Sequence, residues 1–183
     1  MRILCFGDSN TYGYDPRGFL GDRYEAGDRW VDLLAEKTGH ECIGAGVNGR
    51  VIPRGDRAVR VMDDEKDADL LLVMLGTNDL LQGASAEEAA ARMEAFLSRL
   101  SRKCLLVCPP PMQRGAWVPS DELVRESIRL GEKYLALDQK RNIPVIDTRS
   151  WNIPLAFDGV HFTEEGHRIF AKNLQTELER VNL

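Results

Sequence analysis

No apolar stretch in this chain approaches the roughly 20 residues that a membrane-spanning helix needs, so no transmembrane segment is expected. Histidine is scarce, with three in 183 residues. A catalytic metal centre gathers several histidines and carboxylates, and no such centre is expected here. The four cysteines, Cys5, Cys42, Cys104 and Cys108, sit in or beside apolar runs. Cys104 and Cys108 share a face of one expected strand but lie too far apart along it to pair, which points to buried, reduced thiols in a cytoplasmic protein. Neither charge sign forms long blocks and the net charge is -5, so electrostatics gives no reason to expect nucleic acid or a membrane surface as a partner. The first apolar run is four residues long, shorter than the ~7 to 15 residue core of a secretion signal, so export is not expected. Repeats, low-complexity tracts and linkers are missing too. With 43% hydrophobic and 29% charged residues, one domain spanning 1–183 is expected.

What is present is a regular alternation. Five short apolar runs, Ile3 to Phe6, Cys42 to Ala45, Leu70 to Leu75, Cys104 to Cys108 and Ile143 to Ile146, each end in turn or loop residues. Segments of helical period lie between them. Trp30, Leu33 and Leu34 follow Asp28, an expected N-cap; Ser85-x-x-Glu88 is a capping box for a helix reaching about Leu100. Ser120 opens another to about Gln139. Thr163, with Glu164 and Glu165 in the first turn, opens the last, whose apolar face is Ile169, Phe170, Leu174 and Leu178. Strands alternating with helices imply an α/β fold with a parallel sheet covered on both faces. The triple proline at 109 to 111 reads as a stiff loop after the fourth strand.

In such sheets the active site lies beyond the carboxyl ends of the strands. Ser9 follows the first run, Gly46 to Gly49 the second and Asn78 the third, while Asp158 and His161 lie in the loop that enters the last helix. Serine, aspartate, histidine is a common chain order for nucleophilic hydrolases on α/β sheets. A serine hydroxyl needs an imidazole to take its proton, and the imidazole needs a carboxylate to fix its tautomer; residues 158 and 161 are close enough for one turn to join them. Ester hydrolysis also needs donors for the oxyanion, and the expected ones are the N–H groups of Ser9 and Gly46 and the side-chain amide of Asn78. Asp8 and Asp79 are expected to fix loops. Tyr12, Tyr14, Phe19, Trp117, Phe157 and Val160 are candidates to line a pocket. His167 is expected to face solvent or cap a neighbour, and His40 to end the first helix.

Two other readings fit parts of this pattern. A metal-dependent phosphoesterase would use the Gly-Asp and Asn-Asp motifs but lacks the histidines. A non-catalytic phosphate-binding module would use Ser9, Asn10 and Thr11 at a helix N-terminus and leave Asp158-x-x-His161 idle.

Gly7-Asp8-Ser9-Asn10, Gly46, Gly76-Thr77-Asn78-Asp79 and Asp158-x-x-His161 together resemble the four blocks of the SGNH hydrolases, also called the GDSL esterase/lipase family. Arg2 to Ser9, Met74 to Asp79, the triple proline and Asp158 to Glu164 resemble its bacterial arylesterase branch, whose members hydrolyse short acyl esters and in some cases perform perhydrolysis. The resemblance implies a flavodoxin-like three-layer αβα sandwich with a five-stranded parallel sheet. It also implies Ser9 as nucleophile, His161 as base, Asp158 as its partner, and an oxyanion hole from Ser9, Gly46 and Asn78. No cofactor or metal is implied; the partners would be a small-molecule ester and, as in some relatives, further copies of the chain. Asn10 stands where leucine is usual and is expected to be structural, and the second block, Gly46-Val47-Asn48-Gly49-Arg50, falls where the branch is variable, which leaves the roles of Asn48 and Arg50 open. Acetyl to butyryl esters are the expected substrates, because so short a chain has no room for a lid domain. Sugar O-acetyl groups and acyl thioesters suit the same triad.

Overall fold

The computed structural model describes residues 1–18, 22–55, 67–141 and 143–181. Its main sheet contains β1 (Arg2–Gly7), β4 (Glu41–Gly46), β5 (Leu70–Met74), β6 (Cys104–Val107) and β7 (Val145–Ile146), with a two-stranded ribbon of β2 (Tyr14–Asp15) and β3 (Asp22–Arg23) beside it. The five main strands run parallel in the order β4-β1-β5-β6-β7. Consecutive side chains of β1 enter opposite layers: Ile3 and Cys5 join one apolar cluster, Leu4 and Phe6 the other. β5 does the same, with Leu70, Leu72 and Met74 on one face and Leu71 and Val73 on the other, joined there by Leu75 just past its end. Burial on both faces is why these strands read as unbroken apolar runs instead of alternating ones.

Helices α2 (Trp30–Thr38) and α6 (Glu164–Arg180) cover the first face, with Trp30, Val31, Leu34, Phe170, Ala171, Leu174 and Leu178 in its cluster. α4 (Ala86–Leu97) and α5 (Asp121–Arg141) cover the second through Met93, Phe96, Leu130 and Tyr134. Two short helices, α1 (Ser9–Tyr12) and α3 (Thr77–Leu81), follow β1 and β5 directly. The three-layer α/β architecture is therefore the expected one, and the capping box of Ser85 with Glu88 and the Thr163 cap on Gly166 N–H both form. The four cysteines are free thiols. Among the described residues no helix is long and apolar enough to cross a membrane.

Chain direction across the sheet reverses at β1: β4 lies on one side of it and β5 on the other. At such a switch point the loops leaving neighbouring strands diverge to opposite layers and leave a crevice above the strand ends. Ser9 and Asn78 leave the sheet there.

The start of α2 differs from expectation. Asp28 does not cap it, because residues Ala26–Asp28 form a 3-10 turn and the Asp28 carboxylate pairs with Arg168 on α6. Arg29 occupies the cap position without a side-chain cap bond. The free Trp30 N–H donates instead to His167 Nδ1, at 3.3 Å. His167 thus caps a neighbour, as one of its two expected roles had it, but it does not face solvent: it is fully buried, with Tyr24 and Phe162 packed edge-on against its ring.

Burial pushes the His167 pKa down to about 3, with Arg29 and His161 adding to the effect. The folded state holds this ring neutral while the unfolded chain protonates it near 6.5. Its contribution is present in full above pH 6.5 and is lost as pH falls toward 3, amounting to about 3 kcal/mol by pH 4. His167→Asn keeps an acceptor for Trp30 N–H and removes the titration. Urea unfolding at pH 7 and pH 4 should therefore show a loss of stability smaller by about 3 kcal/mol in the variant. Equal losses in both proteins would mean that the ring is protonated in the folded state.

Candidate active site

Ser9 is the first residue of α1. The turn that presents it is held by Asp8, whose Oδ1 accepts the Asn10 N–H at 3.0 Å, and by Gly13, which ends the helix at φ +84. Across the chain, His161 Nε2 lies 2.9 Å from Ser9 Oγ, and His161 Nδ1 lies 2.7 Å from Asp158 Oδ2. Asp158 Oδ1 accepts the N–H groups of Val160 (2.9 Å) and His161 (3.0 Å). Burial alone would raise the Asp158 pKa, but the hydrogen bonds from His161 and these N–H groups outweigh it and hold the carboxyl below its usual range. An ionised Asp158 keeps a proton on Nδ1, which leaves Nε2 as an acceptor facing the Ser9 hydroxyl.

The loop carrying Asp158 and His161 is laced to the loop after β6. Ala116 N–H donates to Phe157 O, Trp117 N–H to Asp158 O and Gln113 N–H to Gly159 O. The approach is so close that a Cβ on Gly159, at φ +80, would lie 2.1 Å from Gln113 O. The triple proline therefore leads into a segment whose backbone supports the carboxylate.

At the end of β5, Asn78 Nδ2 donates to Arg50 O at 3.2 Å and lies 3.5 Å from Asp8 Oδ2. Burial raises the Asp8 carboxyl to about 6, against the opposing pull of the Asn10 N–H, His161 and Arg50. Asp79 is a loop-tying residue in its contacts: it accepts the Ile52 N–H at 2.9 Å and pairs with Arg92 at 2.9 Å.

Gly46 does not match its expected role. Val47 N–H donates to Gly7 O, and Gly7 is the register partner of Gly46, so strand alternation turns the Gly46 N–H away from β1 and toward the open edge of the sheet. The glycine is needed for another reason: a Cβ there would lie 2.1 Å from Tyr12 N, so α1 rests on its backbone.

The aromatic candidates divide. Tyr14 and Trp117 flank His161, with ring centroids 4.5 Å and 5.0 Å away, and Trp117 is 50% exposed. Phe157 is 67% exposed. Val160 is buried in the core, and the Tyr12 ring packs under Arg23. Phe19 lies outside the described residues.

Arg50, whose role the sequence left open, joins the ends of two strands. Its guanidinium donates to Gly7 O at 3.0 Å and to Ala45 O, and stacks 4.1 Å from the Phe6 ring. Its carbonyl is the one that holds Asn78. The available signal was an arginine in a glycine-rich block next to a strand end, which does not say which carbonyls it meets. Among the described residues, no group of three or more His, Cys, Asp and Glu side chains is placed to hold a metal ion.

Known structures share this architecture over the full length. An aryl esterase from M. smegmatis superposes with a TM-score of 0.83 at 26% identity, covering 98% of this chain and 99% of its own. A carbohydrate acetylesterase family member from Sinorhizobium meliloti gives 0.84 at 25% identity, covering 98% of each chain. A lipolytic G-D-S-L family member from Veillonella parvula DSM 2008 gives 0.81 at 22% identity, covering 99% of this chain and all of its own, and at that identity speaks for the fold alone. No curated protein matches the chain in sequence. Residues 5–169, from the strand before Ser9 to the helix after His161, match the GDSL-like lipase/acylhydrolase family, so the chain belongs to that family and is a hydrolase, in keeping with the motifs that resembled it.

Proposed function

We propose that this hydrolase is a serine esterase that cleaves short-chain acyl esters, acetyl to butyryl, through an acyl-enzyme on Ser9. The observation that carries this reading is the buried relay of Ser9 Oγ, His161 and Asp158 at 2.9 and 2.7 Å, which joins residues 152 positions apart. In the first half-reaction the Ser9 oxygen attacks the ester carbonyl while its proton passes to His161 Nε2. Collapse of the tetrahedral intermediate returns that proton to the leaving alkoxide and leaves the acyl group on Ser9. Water then repeats the sequence, giving up its proton to Nε2 and releasing the carboxylic acid. Four free thiols accord with a reducing, cytoplasmic setting.

The oxyanion donors in this reading are the Ser9 N–H and the Asn78 amide, with Gly46 excluded by the direction of its N–H. One Asn78 hydrogen is committed to Arg50 O, and the other faces Asp8 only across 3.5 Å, a contact weak enough to yield to a developing oxyanion. Any second backbone donor would come from the turn over residues 47–50, closed by Arg50 N–H on Val47 O. Asn78→Ala should lower kcat by about 10² to 10³ with little change in KM. A lower Tm with unchanged kcat would reduce Asn78 to a turn residue.

A sugar O-acetylesterase is the second reading, favoured by the Sinorhizobium meliloti neighbour and by a half-exposed Trp117 beside His161. A series of 4-nitrophenyl esters from acetyl to dodecanoyl, run beside a peracetylated sugar, tests both. Acetyl to butyryl esters should turn over fastest. Faster turnover of the dodecanoyl ester would overturn the short-acyl reading, and kcat/KM on the sugar well above every phenyl ester would favour the second.

A further inference from the structure

Asn10 uses its side chain to grip the backbone on both sides of His161. Nδ2 donates to Val160 O at 3.1 Å, and Oδ1 accepts the Phe162 N–H at 2.9 Å. Its own backbone is held as firmly, since the N–H donates to Asp8 Oδ1 and the carbonyl accepts Trp30 Nε1–H at 2.9 Å. The residue is buried, 6% exposed, so water does not compete for these groups. The two arms form the pattern by which a neighbouring strand would bind residues 160 and 162, supplied here by one amide attached directly to the residue after Ser9.

From this we infer that Asn10 is a positioning residue that sets the register between nucleophile and base. The inference rests on the esterase reading above. Asp158 fixes the ring and tautomer of His161 from within its own loop, and the one hydrogen bond from that loop to Ser9 itself is the Ser9–His161 contact, with Tyr14 only packing against the ring. Asn10 supplies that tie. The path from Ser9 through the Asn10 side chain to the peptides flanking His161 is short, and few torsions along it can relax. An asparagine suits the task because both loop groups, one acceptor and one donor, must be met by a neutral side chain of that reach. Aspartate would lack the donor for Val160 O, leucine would leave both groups buried and unpaired, and glutamine is one methylene longer. Displacements of about 1 Å between reacting groups can cost about 10²-fold in rate, so loss of this grip should appear in the chemical step.

The test compares wild type, Asn10→Leu and Asn10→Asp on 4-nitrophenyl acetate, with active sites counted by stoichiometric labelling with a fluorophosphonate. Expressed per labelled site, kcat of Asn10→Leu should fall roughly 10- to 100-fold with KM within about twofold, and its rate of phosphonate labelling should fall in parallel. Asn10→Asp, which keeps the acceptor for Phe162, should show the smaller fall. A purely structural residue would lower Tm and the number of active sites while leaving kcat per site unchanged, and that result overturns the inference. If Asn10→Leu does not fold, Asn10→Asp decides by the same criterion. Failure of the wild type itself to hydrolyse the ester or to label would remove the esterase reading, whereas an active wild type with an equally active variant removes only the role of Asn10.

Discussion

Replacing Ser9 with alanine should lower kcat for ester hydrolysis by about 10⁶, to the residual rate that binding and the oxyanion donors sustain on their own. In the proposed mechanism the hydroxyl supplies both the attacking oxygen and the proton that His161 receives, so no neighbouring group could take its place. The fold should be indifferent to the change. Ser9 opens α1, but the cap on that helix is the carboxylate of Asp8, which the substitution leaves in place. Removing one oxygen opens no cavity large enough to matter, and alanine is well tolerated in a first helical turn. Thermal unfolding of the variant should match wild type to within a few degrees, by the usual ~3 °C per kcal/mol for a domain of this size. Mass mapping of a fluorophosphonate adduct in the wild type should place it on Ser9. Undiminished turnover by the alanine variant, or an adduct on a different serine, would remove the nucleophile assignment.

Asp158→Asn should reduce kcat by up to about 10⁴ while leaving the loop in place. The geometry explains why the two effects separate. Oδ1 of Asp158 accepts two backbone N–H groups, and the carbonyl oxygen of an asparagine can accept the same pair. The remaining atom then becomes an NH₂ group facing His161 Nδ1, where the carboxylate had accepted at 2.7 Å. A donor there forces the imidazole proton onto Nε2, and a protonated Nε2 cannot take the Ser9 proton. Because the Asp158 carboxyl is held below its usual range, it stays ionised at every pH where the enzyme would work. In the folded state its ionised form is favoured, so its contribution to stability is present above the unfolded carboxylate value and is lost only as pH falls through the lower folded one. The variant should accordingly lack that part of the acid sensitivity. A loss of kcat below about tenfold would mean that the carboxylate is not what sets the tautomer. A loss accompanied by collapse of the fold would assign Asp158 to the loop instead.

The elements of this site were unequally legible. Ser9, Asn78, Asp158 and His161 could be placed together from sequence because each follows an apolar run or lies in the loop that enters a helix, and parallel strands bring such ends to one edge of a sheet. Gly46 satisfied the same criterion and misled. Whether its N–H points at Ser9 or away depends on strand parity, which is decided by the pairing of Gly46 with Gly7, a fact about two segments and not one. His167 carried a readable sign: with Phe170, Ala171, Leu174 and Leu178 it lies on the i, i+3, i+4, i+7, i+11 stripe that α6 buries. That periodicity points inward, and the polarity of histidine obscured it. Its bond to Trp30 could not be read at all, since it joins residues 137 positions apart.

Local chemistry written in the order of residues determined the five main strands, the Ser85 and Thr163 caps, the three-layer class and the candidate reactive side chains, because periodicity, turn residues and strand ends act over a few neighbouring positions. Tertiary structure alone decided that the Gly46 N–H turns away from β1, that Arg50 ties the ends of β1 and β4, that His167 and not Asp28 caps α2, and that Asn10 grips the histidine loop. Hydrogen bonds of that kind form between groups brought together only when the sheet closes and water is excluded, and their directions follow from register and packing, which no single segment of the chain contains.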